Sequence, residues 1–176
     1  DLVFIRSAAG SPGEQEEMET AAKFYGLNLA VIAADDDLSL KRISERRDIV
    51  GIAIAANALR SDDANRLLRV LNLKQENSVP VLILGVTEQA DSAALRTWSG
   101  GIVSGCKSFG KDAHWQYAFA HIDGLTGQLS DLQFWGAGKD ASHLVLEESS
   151  AVKHILSLRD GDQASPVFVE TLGQQA

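Results

Sequence analysis

The sequence predicts an α/β domain of three layers: a flavodoxin-like, mainly parallel, doubly wound sheet with a β-rich C-terminal extension. Three observations predict it. Short apolar runs of the buried-strand kind alternate with helix-length amphipathic segments from Leu2 to Val103. Those segments open on residues suited to capping a helix. Beyond Gly110 the alternation gives way to short strand-like runs separated by polar residues and glycine.

Leu2 to Arg6 is the first such run, followed by the small-residue loop Ser7 to Gly10. Ser11 as N-cap, Pro12 at the first helical position and Glu14 at the third, closing a capping box, then start a helix. Met18, Ala21, Ala22 and Tyr25 fall on one face of it, and Gly26 suits its C-terminus. Leu29 to Ala33 is the second strand. Asp35, Asp36 and Asp37 at its end can cap a helix carrying Leu38, Leu40 and Ile43, with Arg46 and Arg47 suited to its negative end.

Ile49 to Ala56 gives a third buried strand, and Ser61 or Asp62 starts a helix with Ala64, Leu67, Leu68 and Leu71 inward. The fourth strand is Val79 to Leu84, with Pro80 near its start. A shorter helix through Ala94, Leu95 and Trp98 ends at Gly100-Gly101, and Ile102-Val103 opens a fifth strand of the parallel series. Further strands are expected over Tyr117 to Ile122, Leu132 to Trp135, His143 to Leu146, Val152 to Leu158 and Val167 to Thr171. The last two are joined through a turn at Asp160-Gly161, with Val167 and Val169 facing one side and Phe168 the other.

Composition bounds the function. Apolar residues make up 45% and charged residues 23%, the balance of a folded globular chain, and its 176 residues fit a single domain spanning 1–176. A strand begins immediately after Asp1, so the chain reads as a domain excised from a longer protein, and its compartment stays open. The single cysteine cannot form an internal disulfide. A net charge of −8, with basic residues scattered apart from Lys41, Arg42, Arg46 and Arg47, argues against a nucleic-acid partner. No apolar run reaches the roughly 18 residues of a membrane span, so no membrane insertion is expected.

In open α/β sheets ligands sit beyond the carboxyl ends of the strands, which selects Arg6, Ser7, Asp35, Asn57, Thr87, Ser104 and Cys106 as pocket candidates. The Ser7 to Ser11 loop is of the kind that cradles a flavin or nucleotide phosphate at a helix N-terminus. Glu14, Glu16, Glu17 and Glu19 already complement that end and would repel phosphate, so a tight, well-capped turn is preferred. A phospho-receiver is excluded, because Ala55, Ala56 and Asn57 stand where its aspartate is required.

Cys106 is the nucleophile candidate, placed where a strand-to-helix turn would lower its pKa, with His121 and Asp123 on one strand face as its base and orienter. His121 lies close to Cys106 in sequence, which favours an ordinary thiol. No spacing of His, Cys, Asp or Glu matches a metal site, and Asp35 to Asp37 read as a cap. No cofactor is expected. Trp98, Trp115, Phe134 and Trp135 would serve a flat or sugar ligand, but burial is the commoner fate of such residues.

Three stretches carry a resemblance. Leu95 to Val103 (L-R-T-W-S-G-G-I-V), His121 to Leu125 (H-I-D-G-L, beside the motif H-P-I-T-x-G-L) and Val152 to Val169 make the chain similar to the class I glutamine amidotransferase-like superfamily. Within it, the resemblance is to non-amidotransferase branches such as trehalose-utilisation-like domains and β-galactosidase middle domains. The superfamily's elbow is G-x-C-x-G, whereas Ser104 and Ser108 stand around Cys106, and neither His143 nor His154 is followed two residues later by Glu. The resemblance therefore implies a scaffold used for binding or as a structural accessory domain of a larger, carbohydrate-related protein. Its partners would be other domains of the same chain or a small polar ligand. A Cys106-dependent hydrolase and a flavin or nucleotide binder are the alternatives.

Overall fold

In the computed structural model the described residues are 1–7, 12–59, 66, 67, 69, 79–109, 114–119, 135–137, 142–147, 152–160 and 162–171. They fall into two compact units, Asp1–Val86 and Thr87–Ala176.

The first unit holds a parallel sheet of β1 (Leu2–Arg6), β2 (Leu29–Ala33), β3 (Gly51–Ala55) and β4 (Val81–Leu84) in the order β2-β1-β3-β4. This is the flavodoxin-like order, with the switch between β1 and β3. The registers are regular: Phe4 stands beside Val31 and Ala53, Ile5 beside Ile32 and Ile54. Residues in register share a face, so Phe4, Ala53 and Ala55 line one side of the sheet and Val3, Ile5, Ile52 and Ile54 the other. Both sides are dry, since all seven are at most 4% exposed. That is why these strands read as unbroken apolar runs rather than alternating ones.

α1 (Pro12–Phe24) packs on β2 and sets Met18 against the Phe4 face. α2 (Asp37–Glu45) buries Leu40 and Ile43. Right-handed crossovers from β1 to β2 and back past β1 to β3 place α1 and α2 on opposite faces. Arg66, Leu67 and Arg69 are helical and Leu67 is fully buried; the rest of the helix expected from Ser61 or Asp62 lies outside the described residues.

Helix ends follow local chemistry. α1 starts at Pro12 as expected, and its C-terminus closes as a Schellman motif: Leu27 N–H donates to the Ala22 carbonyl (2.9 Å) and Gly26 N–H to that of Lys23 (3.1 Å). Gly26 takes φ +67, a conformation that favours glycine. Asp36 caps α2, accepting from the Ser39 N–H (3.1 Å) and hydroxyl (2.6 Å), and these bonds hold its carboxyl below the usual range. Three sequence expectations fail here, the first being Ala21 of α1, which is exposed although Ala22 beside it is buried. Tyr25 and Leu38 are each 74% exposed rather than inward, Tyr25 just past the end of α1 and Leu38 in the first turn of α2.

Arg46 is the C-cap residue of α2, its N–H donating to the Ile43 carbonyl. Its guanidinium forks onto Asp48 (3.0 and 2.6 Å) and also pairs with Asp1. The Arg46 hydrogen bond holds the Asp48 carboxyl down at about 2. A depressed carboxyl stabilises the fold above its unfolded pKa, and that contribution is lost as pH falls towards 2. A carboxyl titration by NMR should therefore find Asp48 near 2 in the wild type and nearer the ordinary value of about 3.9 in Arg46→Ala. An ordinary value in the wild type would refute the fork.

The second unit opens with α3 (Ser92–Trp98), capped by Asp91, which accepts from the N–H groups of Ala93 (2.9 Å) and Ala94 (3.0 Å). α3 ends at Gly100-Gly101 as expected, both with positive φ. β5 (Val103–Ser108) then departs from expectation: among the described residues it pairs antiparallel with β8 (Ser142–Leu146) and does not extend the parallel series.

A second sheet runs β10-β9-β6-β7, all antiparallel, from β6 (His114–Phe119), β7 (Trp135–Ala137), β9 (Val152–Asp160) and β10 (Gln163–Thr171). Asp160 pairs with Gln163, so β9 and β10 form a two-residue hairpin at the expected turn. The simple alternation expected over Val167 to Val169 is interrupted. Phe168 pairs with Leu156 and Val169 with His154, so an extra residue on β10 is followed by one on β9, and the original register resumes. Pro166, which has no N–H to give a ladder, sits next to this irregularity on an edge strand, where it is tolerated.

Candidate functional site

The carboxyl edge of the parallel sheet gathers four of the predicted residues in the first unit. Arg6 ends β1 and Ser7 follows it, both half-buried. The Ala34 N–H donates to the Arg6 carbonyl (2.9 Å), tying the end of β2 to that of β1 and leaving Asp35 exposed beyond it. β3 runs directly into a 3-10 turn, Ala56–Ala58, that presents Asn57 to solvent. Asn57 Nδ2 reaches across to Glu14 Oε1 in the first turn of α1 (3.3 Å). Glu14 Oε2 is buried there, with no hydrogen-bond partner among the described residues.

Glu14 therefore belongs to this edge, although in the sequence it reads only as a capping residue. The signal that could have found it is topological: β1 and β3 are neighbours, so the helix after one meets the loop after the other. Positions 8–11 of the phosphate-type loop lie outside the described residues. A further feature closes β4, where Gly85 takes φ +68. A nucleophile elbow needs a strained turn at a strand end, and glycine at this left-handed position carries no side chain to act as one.

Thr87, Ser104 and Cys106 belong to the second unit. Thr87 makes a turn, its carbonyl accepting from the Ala90 N–H (2.9 Å) and its hydroxyl from the Gln89 N–H (3.3 Å). The Ser104 hydroxyl donates to the Val145 carbonyl (3.2 Å). Cys106 is not at a strand-to-helix turn. It stands within β5, opposite Leu144, and the next described element is another strand. Among the described residues no helix N-terminus follows it to lower its pKa. Burial pushes the thiol above its ordinary value, the Glu88 carboxylate adds to the shift, and a hydrogen bond with Ser142 partly offsets it.

Alternation then excludes one base. His143 lies opposite Lys107, one residue from Cys106 along β5, and so projects from the other face of the ribbon. There its ring packs on Phe109 (centroids 4.8 Å apart), Nδ1 is buried with no partner among the described residues, and burial with the nearby Lys107 charge depresses its pKa. His121, the base considered from the sequence, lies outside the described residues, as do Asp123 and Phe134. Among the described residues no group of three or more His, Cys, Asp or Glu side chains could hold a metal, and no helix is long and apolar enough to cross a membrane. Trp98 is buried on α3.

No family model and no curated protein matches the chain. A crystal structure from Thermoplasma acidophilum, provisionally described as a subunit of GMP synthase, is similar at 13% identity with a TM-score of 0.50, over 97% of this chain and 81% of that one. At that identity the likeness is one of fold alone.

Proposed function

We propose that this chain is a non-catalytic accessory domain on a glutamine amidotransferase-like scaffold, acting beside other domains or subunits and offering a small polar ligand the carboxyl edge of its parallel sheet. The observation that carries this reading is the placement of its one thiol. Cys106 is held inside an antiparallel strand, with its pKa raised and His143 on the opposite face. Gly85 supports the same reading, since it occupies an elbow-like backbone without a nucleophile. The fold neighbour's description as part of a synthase is compatible with partner domains. For the ligand, Arg6, Ser7 and Asn57 surround the β1–β3 switch, and the unpartnered Glu14 Oε2 suits a group that donates hydrogen bonds, as the hydroxyls of a sugar do.

The test is the reactivity of Cys106. Its alkylation by iodoacetamide is expected to accelerate only at pH above that of a free thiol, about 8.5. Glu88→Gln should move the curve to lower pH and Ser142→Ala to higher pH, following the causes of the shift. Glutaminase and esterase assays should give the same background rate for the wild type and Cys106→Ala. Fast alkylation near neutral pH, or hydrolysis abolished by Cys106→Ala, would favour the cysteine hydrolase instead.

A further inference from the structure

We infer that two copies of this chain associate edge to edge through β2, antiparallel across a two-fold axis at Val31, joining their parallel sheets into one. The first ground is the state of that edge. Among the described residues β2 pairs only with β1, and its sequence Leu29-Ala-Val-Ile-Ala33 has no charge, no proline and no bulge. Soluble proteins usually protect such an edge with at least one of these devices. Two other edges here do so: Pro80 precedes β4, and β10 carries Pro166 beside its paired irregularities.

The second ground is the direction of the backbone groups. The Leu2 N–H donates to the Asn28 carbonyl and the Ala34 N–H to the Arg6 carbonyl, each at 2.9 Å, so the alternation of a parallel ladder turns Asn28, Ala30, Ile32 and Ala34 towards β1. Leu29 and Val31 consequently direct their N–H and C=O groups outward, as does the Ala33 N–H, while the Ala33 carbonyl already accepts from the Asp36 N–H (3.1 Å). This set is symmetric about Val31. Placed antiparallel against itself, Val31 exchanges both bonds with Val31 of the second copy, and Leu29 pairs with Ala33, whose N–H donates to the Leu29 carbonyl and whose carbonyl, already bonded to the Asp36 N–H, keeps a second lone pair for the Leu29 N–H.

The third ground is what lies over the edge. α1 packs on β2, and at the end leading into Leu29 it exposes Phe24 by 82% and Tyr25 by 74%, their rings in edge contact at 5.1 Å. An isolated chain leaves this aromatic pair in water; the proposed register brings it over the Ala33 end of the second copy's β2. Against association stand the exposed Glu16, Glu17 and Glu19 of α1 and a net charge of −8 per chain. Screening should therefore strengthen the dimer, the opposite of an interface held by ion pairs.

Sedimentation of the whole chain tests this at roughly 100 μM, well above a micromolar Kd. The average mass is expected to approach twice 18.9 kDa. It should rise further from about 0.1 to 1 M NaCl, over which the screening length falls from about 10 to 3 Å. Amide exchange at Val31 should slow as protein concentration rises. Ala33→Pro removes one outward N–H without emptying a core position, and the double change Phe24→Ser with Tyr25→Ser strips exposed side chains only; each should weaken the dimer about tenfold, a loss near 1.4 kcal/mol. If Ala33→Pro fails to fold by circular dichroism, the serine pair and the Val31 amide still decide. A monomer at every concentration and salt, or a dimer in which Val31 exchange is independent of concentration, would overturn the proposal.

Discussion

Phe4→Ala is expected to destabilise the first unit by about 3–5 kcal/mol, the range for emptying a buried phenylalanine site. Phe4 is 1% exposed at the middle of β1, with Val31 and Ala53 in register on either side and Met18 of α1 above. Its neighbours on β3 are the small side chains Ala53 and Ala55, which cannot swell to fill the gap. A cavity left there would persist, and its cost adds to the lost transfer free energy. Leu38→Ala is the control. Also apolar, but 74% exposed, Leu38 should change stability by no more than about 0.5 kcal/mol on truncation. All three tryptophans, Trp98, Trp115 and Trp135, belong to the second unit, so a probe within the first is needed. Exchange of the Ile5 and Ile54 amides supplies it. Equal protection in Phe4→Ala and Leu38→Ala would mean that the Phe4 face is not the centre of this core.

The difference between Phe4 and Leu38 marks how far the sequence can be read. Burial on both faces gives β1 and β3 an unmistakable signature, because a strand that meets water on neither side has few polar positions, and half-buried β2 is apolar throughout as well. β1 and β2 accordingly match the residues expected from the sequence, as do the Asp36 cap and the Gly100-Gly101 stop. Leu38, by contrast, follows its cap at the first turn of α2, where helical spacing alone does not say whether a residue has yet come over the sheet.

The harder loss of legibility is at Cys106. The sequence reads as a strand opening at Ile102-Val103 and ending at a turn before Cys106, whereas the strand runs from Val103 to Ser108; apolar periodicity is the same for a parallel strand feeding a helix and for one arm of an antiparallel ribbon. Only the partner strand distinguishes them, and β8 lies some forty residues further along the chain. The elbow expected there followed from assuming that the parallel series continued. The Glu14–Asn57 contact was hidden for the same reason, since it depends on β1 and β3 being neighbours.

Ending the chain at Ser157 is expected to abolish cooperative unfolding of the second unit, whereas ending it at Thr171 should leave its urea midpoint unchanged. The shorter chain loses Leu158, 2% exposed and paired with Tyr117 of β6, together with all of β10 and its buried Ser165. Burial of one large aliphatic side chain is worth about 1.5–3 kcal/mol. Each hydrogen bond of the β9–β10 ladder adds a net of about 1 kcal/mol, and this ladder runs from Gln163↔Asp160 to Thr171↔Val152. Together these losses reach the 5–15 kcal/mol that typically separates a folded domain from its unfolded ensemble. The residual β9 would also expose its outer side as a new edge without the proline and irregularities that blunt β10, so aggregation should accompany the loss. Tryptophan fluorescence is the proper probe here. A common midpoint for the parent and both truncations would place the hairpin outside the cooperative core, and would remove the Val152 to Val169 stretch as a structural support for the family resemblance.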